Sequence, residues 1–296
     1  MTTLINVPLT LDDKTFEQVL DQLAPLPADE KIIVDARHTR WASPYGLTAL
    51  LTLAQSRPDR PGFYPPEAEK TGSYWARTNF YKHAEELYEF HGKAQRSPPH
   101  RESDVLLEIT PIVQSADVHG VVERIQKKAQ EILVGELNLE SKATMRFTMA
   151  LSEACQNIIE HAGCGGWVAV QTYTWQQRLN GRRVVVIAVC DAGVGFRQSL
   201  ESSPARRLRD RWNDAIALED AVLNGVSRFP DKGRGQGFAG MRKFVGHWDG
   251  KLSVRSGTAR IVASVPDWDP DETAREEGLA PFPGAQLQIT IPQRVA

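Results

Sequence analysis

Three short stretches of this 296-residue chain combine residue types that ligand chemistry uses. LSEACQNIIEHA, residues 151–162, sets Glu153, Asn157 and His161 four residues apart in an otherwise apolar run. VCDAGVGF, residues 189–196, ends an apolar run with Asp191 and follows it with Gly193 and Gly195. GRGQGFAGM, residues 233–241, places Gly233, Arg234, Gly235 and Gly237 directly before a helical stretch. An aspartate at a strand end can accept a hydrogen bond from a ligand amine, and glycines beside it permit close backbone approach. A glycine-rich loop at a helix N-terminus is a natural phosphate cradle, because free N–H groups and the helix dipole both favour an anion. It is not a Walker loop, since G-x-x-x-x-G-K-[ST] is missing, and no strand immediately precedes it as a dinucleotide fingerprint requires. Taken singly, each stretch also has a plain reading: a solvated helix edge with an i,i+4 polar ladder, or an ordinary glycine turn.

The elements around these stretches narrow the choice. At 100° per residue, Phe147, Leu151, Ala154, Ile158 and Ala162 fall within an arc of ~80° that must face a core. Glu153, Asn157 and His161 drift ~40° per step along the edge of that arc. They therefore sit at the rim of the core, where a pocket can open between helix and sheet. Gly163 stops this helix. An earlier helix follows from the spacing of Val118, Val121, Val122, Ile125, Ala129, Ile132 and Leu133. Strands are expected at VLLEI (105–109), at WVAVQTY and VVVIAVC flanking the hairpin signal Asn180-Gly181, and late in the chain at KLSVR, ARIVASV and AQLQITI. In the last, Ala285, Leu287, Ile289 and Ile291 alternate with polar residues, as one covered sheet face requires. Helices, hairpin, variable segment, helix, then strands describe an α+β sandwich with helices on one face of a mixed sheet.

The segment GKAQRSPPHRESD, polar and with two adjacent prolines, divides the chain. The expected organisation is a small α/β domain over 1–92, a linker over 93–103 and the α+β domain over 104–296. In the first domain KIIVD (31–35) reads as a buried strand, and Ser43-Pro44 as an N-cap followed by proline at the first helical position. Further helices are expected around 15–23 and 80–88. Hydrophobic residues at 41% and charged residues at 24% are ordinary for a soluble protein. A net charge of −2 gives no pull toward nucleic acid or an anionic membrane. No apolar run approaches the ~20 residues of a membrane span, and the N-terminus lacks the basic start and apolar core of a secretion signal. Cys155, Cys164 and Cys190 show no metal spacing and read as reduced thiols, Cys155 and Cys190 packed in apolar runs. A cytoplasmic protein is the expectation.

The order E-x-x-x-N, D-x-G-x-G and a glycine-rich GRGQGFAGM resembles the N, G1 and G2 boxes of the GHKL ATPase superfamily, which includes gyrase-type ATPases, histidine kinases and anti-sigma serine kinases. The likeness covers about 104–296. It implies that Asp191 holds the adenine amino group with Gly193 and Gly195 beside the base. It further implies that Asn157 binds Mg²⁺, that Glu153 is the general base, and that Gly233, Gly235 and Gly237 wrap the phosphates of ATP. Arg234 is a candidate phosphate contact, and His161 a structural or nucleotide-adjacent residue. Residues 197–232 form a candidate lid, with Arg206, Arg207, Arg209 and Arg211 crowded into PARRLRDRW. A nucleic-acid role would rest on those arginines alone and conflicts with the overall charge.

Within the superfamily, LSEACQNIIEHA is most similar to the anti-sigma serine kinases. His83 in YKHAEEL lacks the H-box pattern that a phosphoacceptor histidine would require. The stretch KIIVDARHTRWASPYGLTALLTLA resembles the STAS domains of anti-sigma-factor antagonists, with SYWARTNFYKHAEEL similar to a later STAS helix. Ser43-Pro44-Tyr45 stands where those domains carry D-S-S, so the phosphoacceptor serine is not reproduced, and the STAS-like domain over 1–92 is expected to be a regulatory or docking module rather than a substrate. The resemblance implies a serine/threonine kinase acting on another regulator, a STAS-type antagonist or a sigma factor, and a possible homodimer. The rival reading is an ATP-gated switch or slow ATPase that binds a partner protein without phosphorylating it.

Overall fold

A computed structural model describes residues 2–95, 105–176, 178–203, 206, 211–227 and 236–294. The first set of elements runs β1 (Thr3–Asn6), β2 (Thr10–Leu11), α1 (Glu17–Leu23), β3 (Ile32–Asp35), β4 (Trp41–Ala42), α2 (Pro44–Gln55), β5 (Gly62–Tyr64), α3 (Glu69–Arg77), α4 (Phe80–Leu87) and β6 (Glu89–Phe90). Strands β1, β3, β5 and β6 form one parallel sheet in that order, and β2 pairs with β4. Helix α2 starts as its sequence dictates: the Ser43 hydroxyl accepts from Gly46 N at 3.1 Å and Pro44 opens the first turn. SYWARTNFYKHAEEL is two helices rather than one, because Asn79 adopts φ +64° and breaks the run between α3 and α4.

The second set comprises β7 (Val105–Ile112), α5 (Ser115–Gln130), α6 (Ser141–Asn157), β8 (Gly166–Trp175), β9 (Arg182–Asp191), α7 (Gly195–Ser199), α8 (Asp214–Val222), α9 (Gln236–His247), β10 (Lys251–Ser264) and β11 (Arg275–Pro292). Five strands form a sheet in the order β10-β11-β9-β8-β7. Every pairing in it is antiparallel, so the expected mixed sheet is corrected to an antiparallel one. KLSVR and ARIVASV, expected as two strands, are one strand bent by register shifts between Ser256 and Ala259. A bulge with Gly257 at φ +61° bends the strand without ending it. Asn180 and Gly181 both take positive φ, yet β8 and β9 close only at Trp175 and Arg182, so the connection is longer than two residues.

One face of this sheet packs on α5, α6, α8 and α9 through Val168, Ile187, Val189, Leu252, Leu287 and Ile289. The other face is covered too. Ile109, Trp167, Ala169, Ala188, Cys190 and Phe282 belong to the same buried cluster as Leu47, Leu50 and Leu51 of α2. The expected polar, solvated face of β11 is thus buried: Gln286 and Thr290 are both 0% exposed. Helix α2 is buried from Pro44 to Ala54 because its sequence, PYGLTALLTLA, is apolar or small all round. It packs on β8 and β9.

Polar contacts fasten the same interface. Trp167 Nε1 donates to Gln55 Oε1 at 2.9 Å, and Gln55 Nε2 donates to the Gly165 carbonyl at 3.1 Å. The Tyr74 and Tyr173 hydroxyls stand 2.9 Å apart. His83 lies against the Ile109 carbonyl at 3.0 Å, and burial lowers its pKa. Arg255, 1% exposed, meets Glu17 through Nε at 2.7 Å and Nη2 at 3.1 Å. Lys251 donates to Asp269 at 3.0 Å and Glu272 at 2.7 Å, and Lys14 reaches the same Glu272 at 3.2 Å.

Candidate functional site

The site grows from the C-terminal end of β9. Strand β9 delivers Asp191 to the helix-covered side of the sheet, where it is 6% exposed. Its Oδ1 accepts from Gly193 N at 2.9 Å and Ala285 N at 3.3 Å. Among the described residues nothing donates to Oδ2. Burial pushes the Asp191 carboxyl up to about 6, against the two backbone donors, which pull it down. A carboxylate with one oxygen engaged and one open accepts a hydrogen bond from an N–H ligand near neutral pH.

The glycines around Asp191 are close-packed against protein. A methyl at Gly193 would overlap the Ala162 backbone, and one at Gly284 would overlap the Asp191 carbonyl. Gly195 and Gly284 also hold φ of +70° and +77°, which glycine adopts without strain. Val194 N donates to the Ala162 carbonyl at 3.0 Å, tying the Asp191 turn to the end of the α6 segment. The segment ends at Gly163 as expected, but it changes character before that: α6 ends at Asn157 and continues as a π-helical turn over Ile158–Ala162, closed by Gly163 at φ +73°. Such π turns widen a helix and recur at functional sites. Asn157 is half-buried at this junction, and Glu153 one turn earlier is exposed. His161 falls in the π turn, and its side chain lies outside the described residues.

Helix α9 brings the third stretch. A methyl at Gly237 would overlap Oε1, Cδ and Cγ of Glu153, so the first turn of α9 lies directly on that side chain. Phe196 of α7 and Phe238 of α9 meet edge to face at 5.7 Å, joining the Asp191 turn to the glycine-rich stretch. Gly233, Arg234 and Gly235 lie outside the described residues, as do Arg207 and Arg209. Arg206 pairs with Glu201 at 3.4 Å and stands over the Trp212 ring, while Arg211 is exposed. The candidate lid contains a packed element: α8, capped by Asn213 accepting from Ile216 N at 2.8 Å, buries Ala215, Leu218 and Ala221 in the core.

Two residues that sequence reasoning passed over hold this geometry. Ser256 Oγ accepts from Phe196 N at 3.1 Å and donates to the Gly284 carbonyl at 2.7 Å. Gln286 Nε2 donates to the Asp191 carbonyl at 3.1 Å. The Pro283-Gly284 pair directly ahead of AQLQITI, which lies inside the longer strand β11, was the available clue to this wall. Cys155 and Cys190 are buried as expected, with burial raising both thiols to about 12, and Cys164 is exposed.

Residues 115–246 match the family model described as a histidine kinase-like ATPase domain. The match runs from α5 to α9 and takes in Glu153, Asn157, Asp191, Gly193, Gly195 and the 233–237 glycines. It supports a GHKL-type ATPase domain over that segment. No curated protein matches the chain. Among the described residues no helix is long and apolar enough to cross a membrane.

The donor set fits the ligands such a domain takes. Asp191 suits an exocyclic amine, and oxygen donors such as the Asn157 amide suit a hard cation that keeps most of its waters. Among the described residues no cluster of three or more histidine, cysteine or acidic side chains competes as a metal cage.

Proposed function

We propose that the chain is a Mg-ATP-binding regulator in which a STAS-like unit is joined to a GHKL domain of the anti-sigma kinase type. It transfers the γ-phosphoryl group to a serine or threonine of a separate regulatory protein, a STAS-type antagonist or a sigma factor. The observation that carries this reading is the packing of Gly237 against Glu153, one helical turn before Asn157 and at the first turn of α9. A carboxylate packed against the first turn of a helix that follows a glycine-rich stretch can take a proton from an attacking hydroxyl, which supports the general-base role. In the transfer, the hydroxyl oxygen bonds to the γ-phosphorus, the bridge to the β-phosphate breaks, and Glu153 receives the hydroxyl proton. Asp191 would orient the base, and Asn157 would hold Mg²⁺, which supplies charge neutralisation at the phosphates.

The substrate is placed in trans because the fused unit has no free acceptor at the equivalent turn. Ser43 is 3% exposed, and its oxygen caps α2. The test is to incubate the full chain with γ-labelled ATP and Mg²⁺, alone and with candidate regulators. Label on a seryl or threonyl residue of a partner, lost with Glu153→Ala while ATP still binds, is the expected result. ATP binding without transfer to any partner would overturn the kinase reading in favour of an ATP-gated switch. Unaltered ATP affinity in Asp191→Asn would overturn the pocket itself.

A further inference from the structure

The N-terminal elements touch the scaffold of the Asp191 site along two independent routes. On the first, Thr48 of α2 places its hydroxyl 3.3 Å from Cys190 Sγ, one residue before Asp191 on β9. The far end of the same helix carries Gln55, which holds the Gly165 carbonyl and the Trp167 indole. Gly166, between them, pairs with Asp191 in the sheet and leaves no room for a side chain beside the Asp191 Cβ. One helix thus holds both strands that meet at the carboxylate.

On the second route, Glu17 of α1 binds the buried guanidinium of Arg255 on β10. The next residue, Ser256, bonds Phe196 N at the start of α7 and the Gly284 carbonyl. Gly284 in turn presses on the Asp191 backbone, and Ala285 N donates to its carboxylate. A displacement of α1 relative to β10 would leave a buried guanidinium without its counter-charge. The strand that carries Ser256 would therefore move with α1.

We infer that the docked N-terminal unit is the regulatory input of the nucleotide site, acting through Thr48–Cys190 and Glu17–Arg255 on the two sides of Asp191. The inference rests on the reading of that site as a nucleotide pocket. Whatever engages the N-terminal unit changes nucleotide affinity, and nucleotide changes the stability of the docked interface by the same factor, because coupling between binding sites is reciprocal. Glu17, Thr48 and Arg255 are not among the residues assigned to the pocket. They are positioning residues.

Amide hydrogen exchange of the full chain with and without Mg-ADP tests the coupling, alongside nucleotide titration of wild type, Glu17→Gln and Thr48→Val. Nucleotide is expected to slow exchange in α1 and α2, although neither helix lies at the pocket. Both variants are expected to bind nucleotide more weakly, roughly fivefold or more. Binding by the wild-type chain with unaltered exchange in α1 and α2 would overturn the coupling and leave the pocket standing. Failure of the wild-type chain to bind nucleotide would overturn the pocket, and the coupling with it. The exchange comparison uses the wild-type chain alone, so a variant that fails to fold does not remove the test.

Discussion

Asp191 carries the clearest consequence at the scale of single residues. Its carboxyl is raised from the ordinary value of 3.8 to about 6 by burial. A group raised in the folded chain contributes stability that is complete below its unfolded pKa and is lost as pH rises through about 6. Near pH 7 the ligand-free chain therefore carries the cost of an ionised, buried carboxylate. Asp191→Asn is expected to stabilise the ligand-free chain at about pH 7.5, by on the order of 2–3 kcal/mol, while abolishing nucleotide binding. Urea unfolding with and without nucleotide reads both effects, and a variant less stable than wild type would refute the desolvation argument. Nucleotide affinity in the wild-type chain should likewise fall as pH drops below about 6, because a protonated carboxyl no longer offers the anionic acceptor. The strand-end position of Asp191 was legible in the sequence, since apolar run, aspartate and glycines follow one another directly. Ser256 and Gln286 were not legible. Their hydrogen bonds cross 60 and 95 residues of sequence, and neither side chain has a local pattern that announces its partner.

At the scale of elements, the N-cap of α2, the long helices α5 and α6 and the β8–β9 pair were readable because capping and periodicity act within a few residues. The short strands β1, β5 and β6 were not, since two to four residues carry too little alternation. The bend in β10 hid one strand as two, because Gly257 reads as a terminator when the pairing partner is unknown. Helix α2 shows how tertiary structure completes a local signal. Its apolar circumference demands burial on every side, and one continuous cluster, drawn from the N-terminal elements and from a face of the five-stranded sheet, supplies it. Its last residue, Gln55, satisfies both the Trp167 indole and the Gly165 carbonyl. Gln55→Ala strips a part-buried donor and a part-buried acceptor of their partner and is expected to cost about 1–2 kcal/mol. Equilibrium urea unfolding measures this loss, and an unchanged midpoint would mean that water replaces the amide at no cost.

For the whole molecule, the polar alternation of β11 suggested a sheet with one wet face. The structure instead buries Gln286, Gln288 and Thr290 beneath the N-terminal elements. Composition could not reveal this, because the same polar residue types occur on solvated and on covered sheet faces. The charged seam beside it is buried as well, with Lys251 2% exposed and Glu272 8%. Lys251→Met would leave Asp269 and Glu272 without their closest cation. The expected destabilisation is about 3–5 kcal/mol, measured by chemical unfolding of the full chain. A neutral result would show that Arg260 and Lys14, which also pair with Glu272 at 3.1 and 3.2 Å, compensate.

The double-sided burial of α2 also sets how the chain can be divided. A cut between β6 and β7 would give two fragments, neither of which finishes its own surface: one would expose α2, the other a sheet face bearing the Arg255 guanidinium. Their mutual complement is the other fragment. The two pieces are therefore expected to co-purify as a noncovalent pair when produced together, and to precipitate when produced apart. The gene is consequently divisible only in the manner of a split protein, whose halves regain a working shape by finding each other.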